Sequence, residues 1–560
     1  MALSADHPHH CPAHCPTALG RYRVVWFKRD LRVHDHTALV QAAAHGPVLC
    51  LYVLEPSLWA QPDAAAQHLA FIHESLRDLH RALKAHGGQL HLRVGEVTDV
   101  LAELHAQHPF EALHAHEETG NAHTYARDLA VGRWCRDNGV GWHEVPQFGV
   151  VRRLKNRNTW QPRWEAQMAA PTATLPALRF FDPPAWGLLA TRHRWPTPES
   201  LGLDPWQPPQ RQPGGERAGL AVLADFLDHR SAGYRGGISS PLRAPDACSR
   251  LSAHLAYGTV SLRHVVQSTR ARAVELPAQS RQRQGLNAFL SRLYWHCHFI
   301  QKLESEPELE WRNLHRGYDG LREPGWHPAH FEALQQGRTG WPMVDACVAM
   351  LRETGWINFR MRAMLVSVAA YPLWLHWREV GLWLAREFLD YEPGIHWSQL
   401  QMQSGTTGIN TTRVYNPVKQ AQDHDPQGHF VRRWLPTMRR VPDTWLFEPW
   451  RMPESVQAAC GVYVGRDIPL PVVDLASATR EAKARLHGLR AQPAVKAAKA
   501  AIVDKHGSRK GMPGRTRRTA DGHEAPVRPR RATATTGPAD SPQLSLDLGL
   551  GPDLETHPKL

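Results

Sequence analysis

Two patterns of apolar and polar positions divide the chain. Between 21 and about 150, short apolar runs alternate with stretches of helical periodicity. RYRVVWF (21–27) and PVLCLYVL (47–54) are continuous apolar runs, QLHLRV (89–94) alternates, and ALHAH (112–116) and GVGWHEV (139–145) are two more short strands. Helix-like segments at 36–45, 64–86 and 97–108 lie between them. Strands alternating with helices predict an α/β domain over 21–150, a Rossmann-like, doubly wound parallel sheet. Such a sheet takes nucleotide-type ligands at the carboxyl ends of its strands. The first strand runs into Lys28-Arg29-Asp30-Leu31-Arg32 with no GxGxxG, so the fingerprint of an ordinary NAD enzyme is absent.

From 151 to 215 the chain is rich in Pro and Trp (PPAW, WQPPQRQPGG), which reads as a long interdomain linker crossing the surface. Strand signals then vanish. Helical periodicity recurs at 217–230, 259–274, 284–304, 343–354, 359–376 and 377–389, predicting an all-helical domain over 216–475. The last segment, 476–560, begins with a partly helical pattern and continues as an Arg-, Pro- and Gly-rich stretch with few apolar residues, expected to be a disordered basic tail. Its cluster Arg515, Arg517, Arg518, Arg528, Arg530 and Arg531 reads either as a nucleic-acid arm or as a solvated linker. Residues 1–20 form a polar extension. There His9, His10, Cys11, His14 and Cys15 have the ligand types for zinc or copper, but Pro8, Pro12 and Pro16 argue against a packed site, and no metal is assigned.

Composition narrows the classes. Apolar residues make up 42% of the chain, enough with 41 glycines to bury a large core, which rules out wholesale disorder. An excess of 66 Lys+Arg over 53 Asp+Glu gives +13, which favours phosphate-bearing partners. The richest apolar run, Ala363 to Leu375, is too short to cross a membrane and contains Pro372. The first residues lack the apolar core of a secretory signal, and eight scattered cysteines form no disulfide framework. A cytoplasmic, non-membrane protein is expected. Twenty-one tryptophans, most of them after 290, are the outlier.

The candidate chemistry lies in the helical domain. Cys248-Ser249-Arg250-Leu251-Ser252 places small hydroxyl residues at a helix start, where backbone N–H groups and hydroxyls can face an anion. Further on come GRTGWPMVDACVAMLRETGWINFRMRAMLVS (337–367), HWREVGLWLAREFLDYEPGIHWSQLQMQSGTTGIN (376–410) and RVYNPVKQAQDHDPQGHFVRRWLP (413–436). Together with WFKRDLRVHDHTAL (26–39), these resemble the photolyase/cryptochrome family, in the family's order, from about residue 22 to about 450.

The resemblance implies an N-terminal antenna domain and a helical domain holding a U-shaped FAD. Carried over, Tyr234, Ser249, Arg250, Leu251 and Ser252 would lie at the pyrophosphate. Trp356 and Arg362 would lie on the helix beside the isoalloxazine, and Asp390 and Glu392 would form the acidic pair near the flavin and adenosine. Arg362 and Asp390 match the flavin-flanking pair. There the carboxylate steadies the guanidinium, which in turn stabilises negative charge on a reduced ring.

Against the family's repair enzymes, several positions differ. Trp295 keeps the aromatic wall of the lesion pocket, but Arg292 stands where the carboxylate is expected and His296 where an Arg is expected. Met402 replaces a second Trp wall, and His396 replaces the Asn facing flavin N5. In the family's aromatic relay Trp377 and Trp326 are matched, while the flavin-proximal member reads as Leu400, with Trp397 nearby. Trp295, His296, Arg292 and His396 are thus the candidate catalytic residues, Trp295 and His396 also being cofactor neighbours. Losing one aromatic wall removes stacking of roughly 1–3 kcal/mol.

The resemblance implies light-driven electron transfer from reduced FAD to a UV-induced pyrimidine lesion, in a protein that associates with DNA as a monomer. The alternative is a cryptochrome-type photoreceptor without repair. It also implies a second, antenna chromophore of folate, deazaflavin or flavin type, near Glu117-Glu118-Thr119. In the tail, Gln543, Leu544, Leu546 and Leu548 lie in QLSLDL, which resembles the short motif that docks bacterial repair proteins on the sliding clamp.

Overall fold

The structure, a computed structural model, describes residues 22–183, 195–409 and 414–506. The His/Cys-rich start and the clamp-like residues Gln543, Leu544, Leu546 and Leu548 lie outside the described residues.

Five strands, β1 (Arg23–Phe27), β2 (Val48–Leu54), β3 (Leu90–Val94), β4 (Ala112–His116) and β5 (Gly141–Val145), form one parallel sheet of order β3-β2-β1-β4-β5. The central strand β1 pairs Val25 with Cys50 on one side and with His114 on the other. Period-2 alternation sends Val25 and Phe27 toward helices α1 (Thr37–Ala43) and α2 (Ala66–Ala85). Val24 and Trp26 face α3 (Val97–Gln107) and α4 (Ala122–Asp137). Both faces are covered, so β2 is buried throughout and reads as the continuous apolar run seen in the sequence. The order reverses between β1 and β4, and that switch point lies beneath the helical domain.

The linker was expected to be a surface crossing, yet it contains helix α5 (Trp160–Ala169), whose Trp160, Trp164 and Met168 are buried in the helical core. Their four-residue spacing supplies an apolar stripe that the flanking prolines mask. The helical domain is built around the long α6 (Arg281–Ser305), which buries Leu286, Phe289, Leu293, Cys297 and Ile300 at spacings of three and four. Along it packs α9 (Pro393–Ser404), and on α9 in turn pack α7 (Phe359–Ala370) and α8 (Trp377–Glu387). The helix expected over 359–376 stops at Ala370 because Pro372 lacks the N–H and disfavours helical backbone before it. Helical packing also continues past the expected boundary at 475. α10 (Leu475–Ala491) buries Ala482 and Leu486 against Tyr318, Tyr371 and Trp374, and α11 (Pro493–His506) follows it.

The loop after β1 docks the two domains. Arg29 donates to the carbonyls of Ala256 (2.7 Å) and Tyr391 (2.8 Å), and Arg32 to that of Gly258 (2.9 Å). Glu216 in return accepts from the backbone N–H of Val33 and His34, both at 2.9 Å.

Candidate functional site

The site starts from a buried ion pair. Arg362 on α7 donates to both Asp390 oxygens at 2.9 Å, and its Nε donates to the Ile357 carbonyl at 2.8 Å. Its guanidinium lies 4.2 Å from the Phe388 ring centroid. Burial alone would raise the Asp390 carboxyl, but Arg362, the Ser252 hydroxyl and Arg250 hold it below the usual carboxylate range. Arg362, Ser252, Arg250 and Asp390 are therefore one cluster, brought together from three separate stretches of sequence.

Arg250 sits on the anion loop with φ of 62°, its guanidinium 3.9 Å from the Trp356 ring centroid. Burial pushes it down to about 10, against the pull of Asp390. Among the described residues no carboxylate lies within 4.0 Å of it. Leu251 N–H reaches Ser249 Oγ at 3.4 Å, and the helix that follows, Ser252–Ala256, has only five residues. So short a helix aligns few peptide dipoles, which leaves Arg250 as the main source of positive charge. Two residues on from Asp390, the buried Glu392 carboxylate has an oxygen, Oε1, with no hydrogen-bond partner, and burial raises its pKa despite Arg29 at 3.4 Å. A loop cation with no carboxylate within 4.0 Å among the described residues, beside the Arg362–Asp390 pair, fits a ligand with an anionic diphosphate, as FAD has. Bound there, FAD would have Ser249, Arg250 and Ser252 at its phosphates and Arg362 at its ring.

The other expected residues are distributed as follows. Tyr234 is buried against Phe226 and Phe289, and its hydroxyl is hydrogen-bonded to Arg292. Trp295 is half-buried, stacked on Phe299 (5.7 Å between centroids) and edge-on to His298 (4.8 Å). His296, one residue on, points instead to the domain seam, edge-on to Phe148 at 5.3 Å, and burial pushes it down to about 4. His396 Nε2 donates to the Gly381 carbonyl (2.9 Å), and burial holds the ring neutral at about 4. That bond fixes the tautomer: His396 offers only a lone pair at Nδ1.

Of the aromatic relay, Trp377 is in contact with Trp397: their ring centroids are 6.0 Å apart at 73°. Trp397 is also edge-on to His396 at 4.9 Å and fully buried. Trp326 packs on Phe331 at 5.0 Å. Gly381 makes the Trp397 placement possible, since a Cβ there would come within 2.5 Å of Trp397 and of Leu400.

A cleft opens at the switch point between β1 and β4. Lys28, Arg29, His116, Glu117, Phe148 and Glu392 are among its lining residues. Behind it lies a buried triad that the sequence reading missed, because its members stand up to 86 positions apart. Asp30 accepts from His116 Nδ1 at 2.7 Å and from His36 Nε2 at 3.0 Å. The three donors converge as metal ligands do. However, His36 Nδ1 accepts the Leu39 N–H at 3.0 Å, so its proton is on Nε2 and that nitrogen has no lone pair for a metal. The triad instead fixes His116 with a proton on Nδ1 and a lone pair on Nε2.

Comparisons with known proteins identify the family. Residues 23–155 match the family described as DNA photolyase, and 289–488 the FAD binding domain of DNA photolyase. A deoxyribodipyrimidine photo-lyase of Streptomyces griseus is 30% identical over 498 residues, covering 83% of this chain and 98% of the relative. A cryptochrome DASH of Gloeobacter violaceus is 28% identical over 483 residues, covering 81% and 93%. Among solved structures, a bacterial class III photolyase from Agrobacterium tumefaciens matches with a TM-score of 0.71 and 25% identity, over 86% of this chain and 100% of that one.

Proposed function

Since this chain belongs to the photolyase/cryptochrome family, we propose that it is a light-driven DNA lyase that acts on UV-induced pyrimidine lesions. The observation that carries this reading is the Arg362–Asp390 pair, set beside the unpaired Arg250. FAD supplies the absorption of light and the electron. The protein does the rest. Ser249, Arg250 and Ser252 hold the phosphates, and Arg362 places positive charge where the reduced ring is negative. His396 offers an acceptor and excludes water. Trp295 and Phe299 form the platform for an extruded base. Trp397 and Trp377 form the route by which the cofactor is re-reduced. The cleft at the switch point would hold an antenna chromophore of folate, deazaflavin or flavin type. The protein would work as a cytoplasmic monomer on DNA, with Gln543, Leu544, Leu546 and Leu548 reaching the sliding clamp.

One observation favours a second reading, a cryptochrome-type photoreceptor. Arg292, where a lesion-binding carboxylate would stand, is hydrogen-bonded to Tyr234. Illuminating the photoreduced protein with oligonucleotides carrying cyclobutane or (6-4) lesions separates the two. Light-dependent loss of either lesion supports the lyase; photoreduction without lesion loss supports the receptor.

A further inference from the structure

Trp397 has a second oxidisable neighbour besides Trp377. Tyr391, in the turn between α8 and α9, sends its hydroxyl across the domain seam and donates to Asp63 Oδ2 at 2.6 Å. Both residues are buried. The same oxygen accepts from the Asn121 side-chain amide at 3.1 Å. Asn121 is held in that orientation, because its Oδ1 caps α4 by accepting the Thr124 N–H at 3.1 Å. Asp63 Oδ2 thus faces two neutral donors, and the shorter bond falls in the range of a charge-assisted O–H···O⁻ contact.

His396 links Tyr391 to the relay. Its ring is edge-on to Tyr391 at 5.1 Å and to Trp397 at 4.9 Å. Burial first, and Asp63 next, hold the Tyr391 phenol well above its usual range, with the Trp397 indole N–H pulling the other way. That N–H reaches no other partner among the described residues. A phenol gives up an electron readily only where its proton has an acceptor within hydrogen-bond reach, since its radical cation is a strong acid. Tyr391 has such an acceptor. Trp377 does not: its indole N–H donates to Asn313 Oδ1 at 2.8 Å, a neutral amide that cannot keep a proton.

We propose that Tyr391 is a proton-coupled electron donor to Trp397, with Asp63 of the α/β domain as the proton acceptor. Once Trp397 has given an electron to the light-excited flavin, Tyr391 passes one electron to the oxidised indole and its hydroxyl proton moves to Asp63 Oδ2. The phenol O–H bond breaks and a carboxyl O–H bond forms. A tyrosyl radical is left beside a neutral tryptophan. The step replaces a buried cation and a buried carboxylate by neutral groups, which a poorly solvated seam favours. Trp377 remains the exit toward an external reductant, and Tyr391 holds the oxidising equivalent when none is present. The inference rests on the Trp397 route above.

The test uses the full-length protein loaded with oxidised FAD, without thiol. Samples frozen after a light flash are read by EPR, and a second preparation carries ring-deuterated tyrosine. The wild-type radical spectrum should narrow in the deuterated preparation. Tyr391→Phe should lose the tyrosine-derived signal, and its light-induced radical should decay several-fold faster, at an unchanged flavin-to-protein absorbance ratio. Asp63→Asn keeps an oxygen acceptor but cannot take the proton. It should lower the tyrosyl yield several-fold and remove the slowing that deuterium oxide causes in wild type. A spectrum that does not narrow, a tyrosyl signal that survives Tyr391→Phe, or a full yield in Asp63→Asn refutes the proposal while the Trp397 route stands. If Trp397→Phe forms the same radicals in wild-type yield, the route falls and the inference with it.

Discussion

At the scale of single residues, the cofactor site depends on charges that are matched in one place and left unmatched in another. Arg362 and Asp390 satisfy each other bidentately, so removing one strands the other. Asp390→Ala is expected to cost on the order of 3–5 kcal/mol. The variant should be recovered with much less FAD than wild type, measured as the flavin-to-protein absorbance ratio after gel filtration. The indoles make a different prediction. If Trp397 is the first donor, Trp397→Phe and Trp377→Phe should each slow photoreduction in the presence of a thiol at least tenfold, while Trp326→Phe should not. Equal rates in all three would rule the Trp397 route out. Much of this was legible from sequence, because Arg362, Asp390 and the Cys248–Ser252 loop are short local patterns. Trp397 was noticed only as a neighbour: what selects it is its contact with Trp377, twenty positions away and on another helix. The Asp30–His36–His116 triad leaves no local pattern at all, since a parallel sheet sets β1 beside β4 with two strands intervening in sequence.

At the scale of elements, the close approach of α8 and α9 depends on Gly381. Its missing side chain lets Trp397 and Leu400 lie against the backbone of α8, and its carbonyl fixes the His396 tautomer. Gly381→Ala should destabilise the protein by about 1–3 kcal/mol through overpacking, seen as a lower urea midpoint. It should also slow photoreduction by displacing Trp397. An unchanged midpoint and rate would mean that the helices separate at no cost. The strands were readable because β2 is buried on both faces, and the helices because their apolar stripes are regular. α5 was not, since Pro and Trp in its surroundings look like linker chemistry, although Trp160, Trp164 and Met168 keep helical spacing.

At the scale of the whole molecule, the two domains are closed on each other by buried neutral histidines as well as by arginines. His68 donates to the Phe388 carbonyl across the seam at 3.0 Å, and burial pushes it down to about 4. His254 and His396 are likewise held at about 4 and His116 at about 3, all by burial. Unfolded histidines titrate near pH 6.5, so between about 6.5 and 4 the unfolded chain binds protons that the folded chain does not. Stability should therefore be intact above about pH 6.5 and fall steadily as the pH drops toward 4, with the thermal midpoint following it. A midpoint that holds constant across that window would show that these rings protonate in place. The cleft at the switch point carries a consequence of its own. One of its walls, Glu392, is supplied by the helical half. The two halves are thus not interchangeable modules. A chimera that grafts this sheet onto a foreign helical half inherits a cleft with one side missing, and any pigment selected by it would have to be chosen anew.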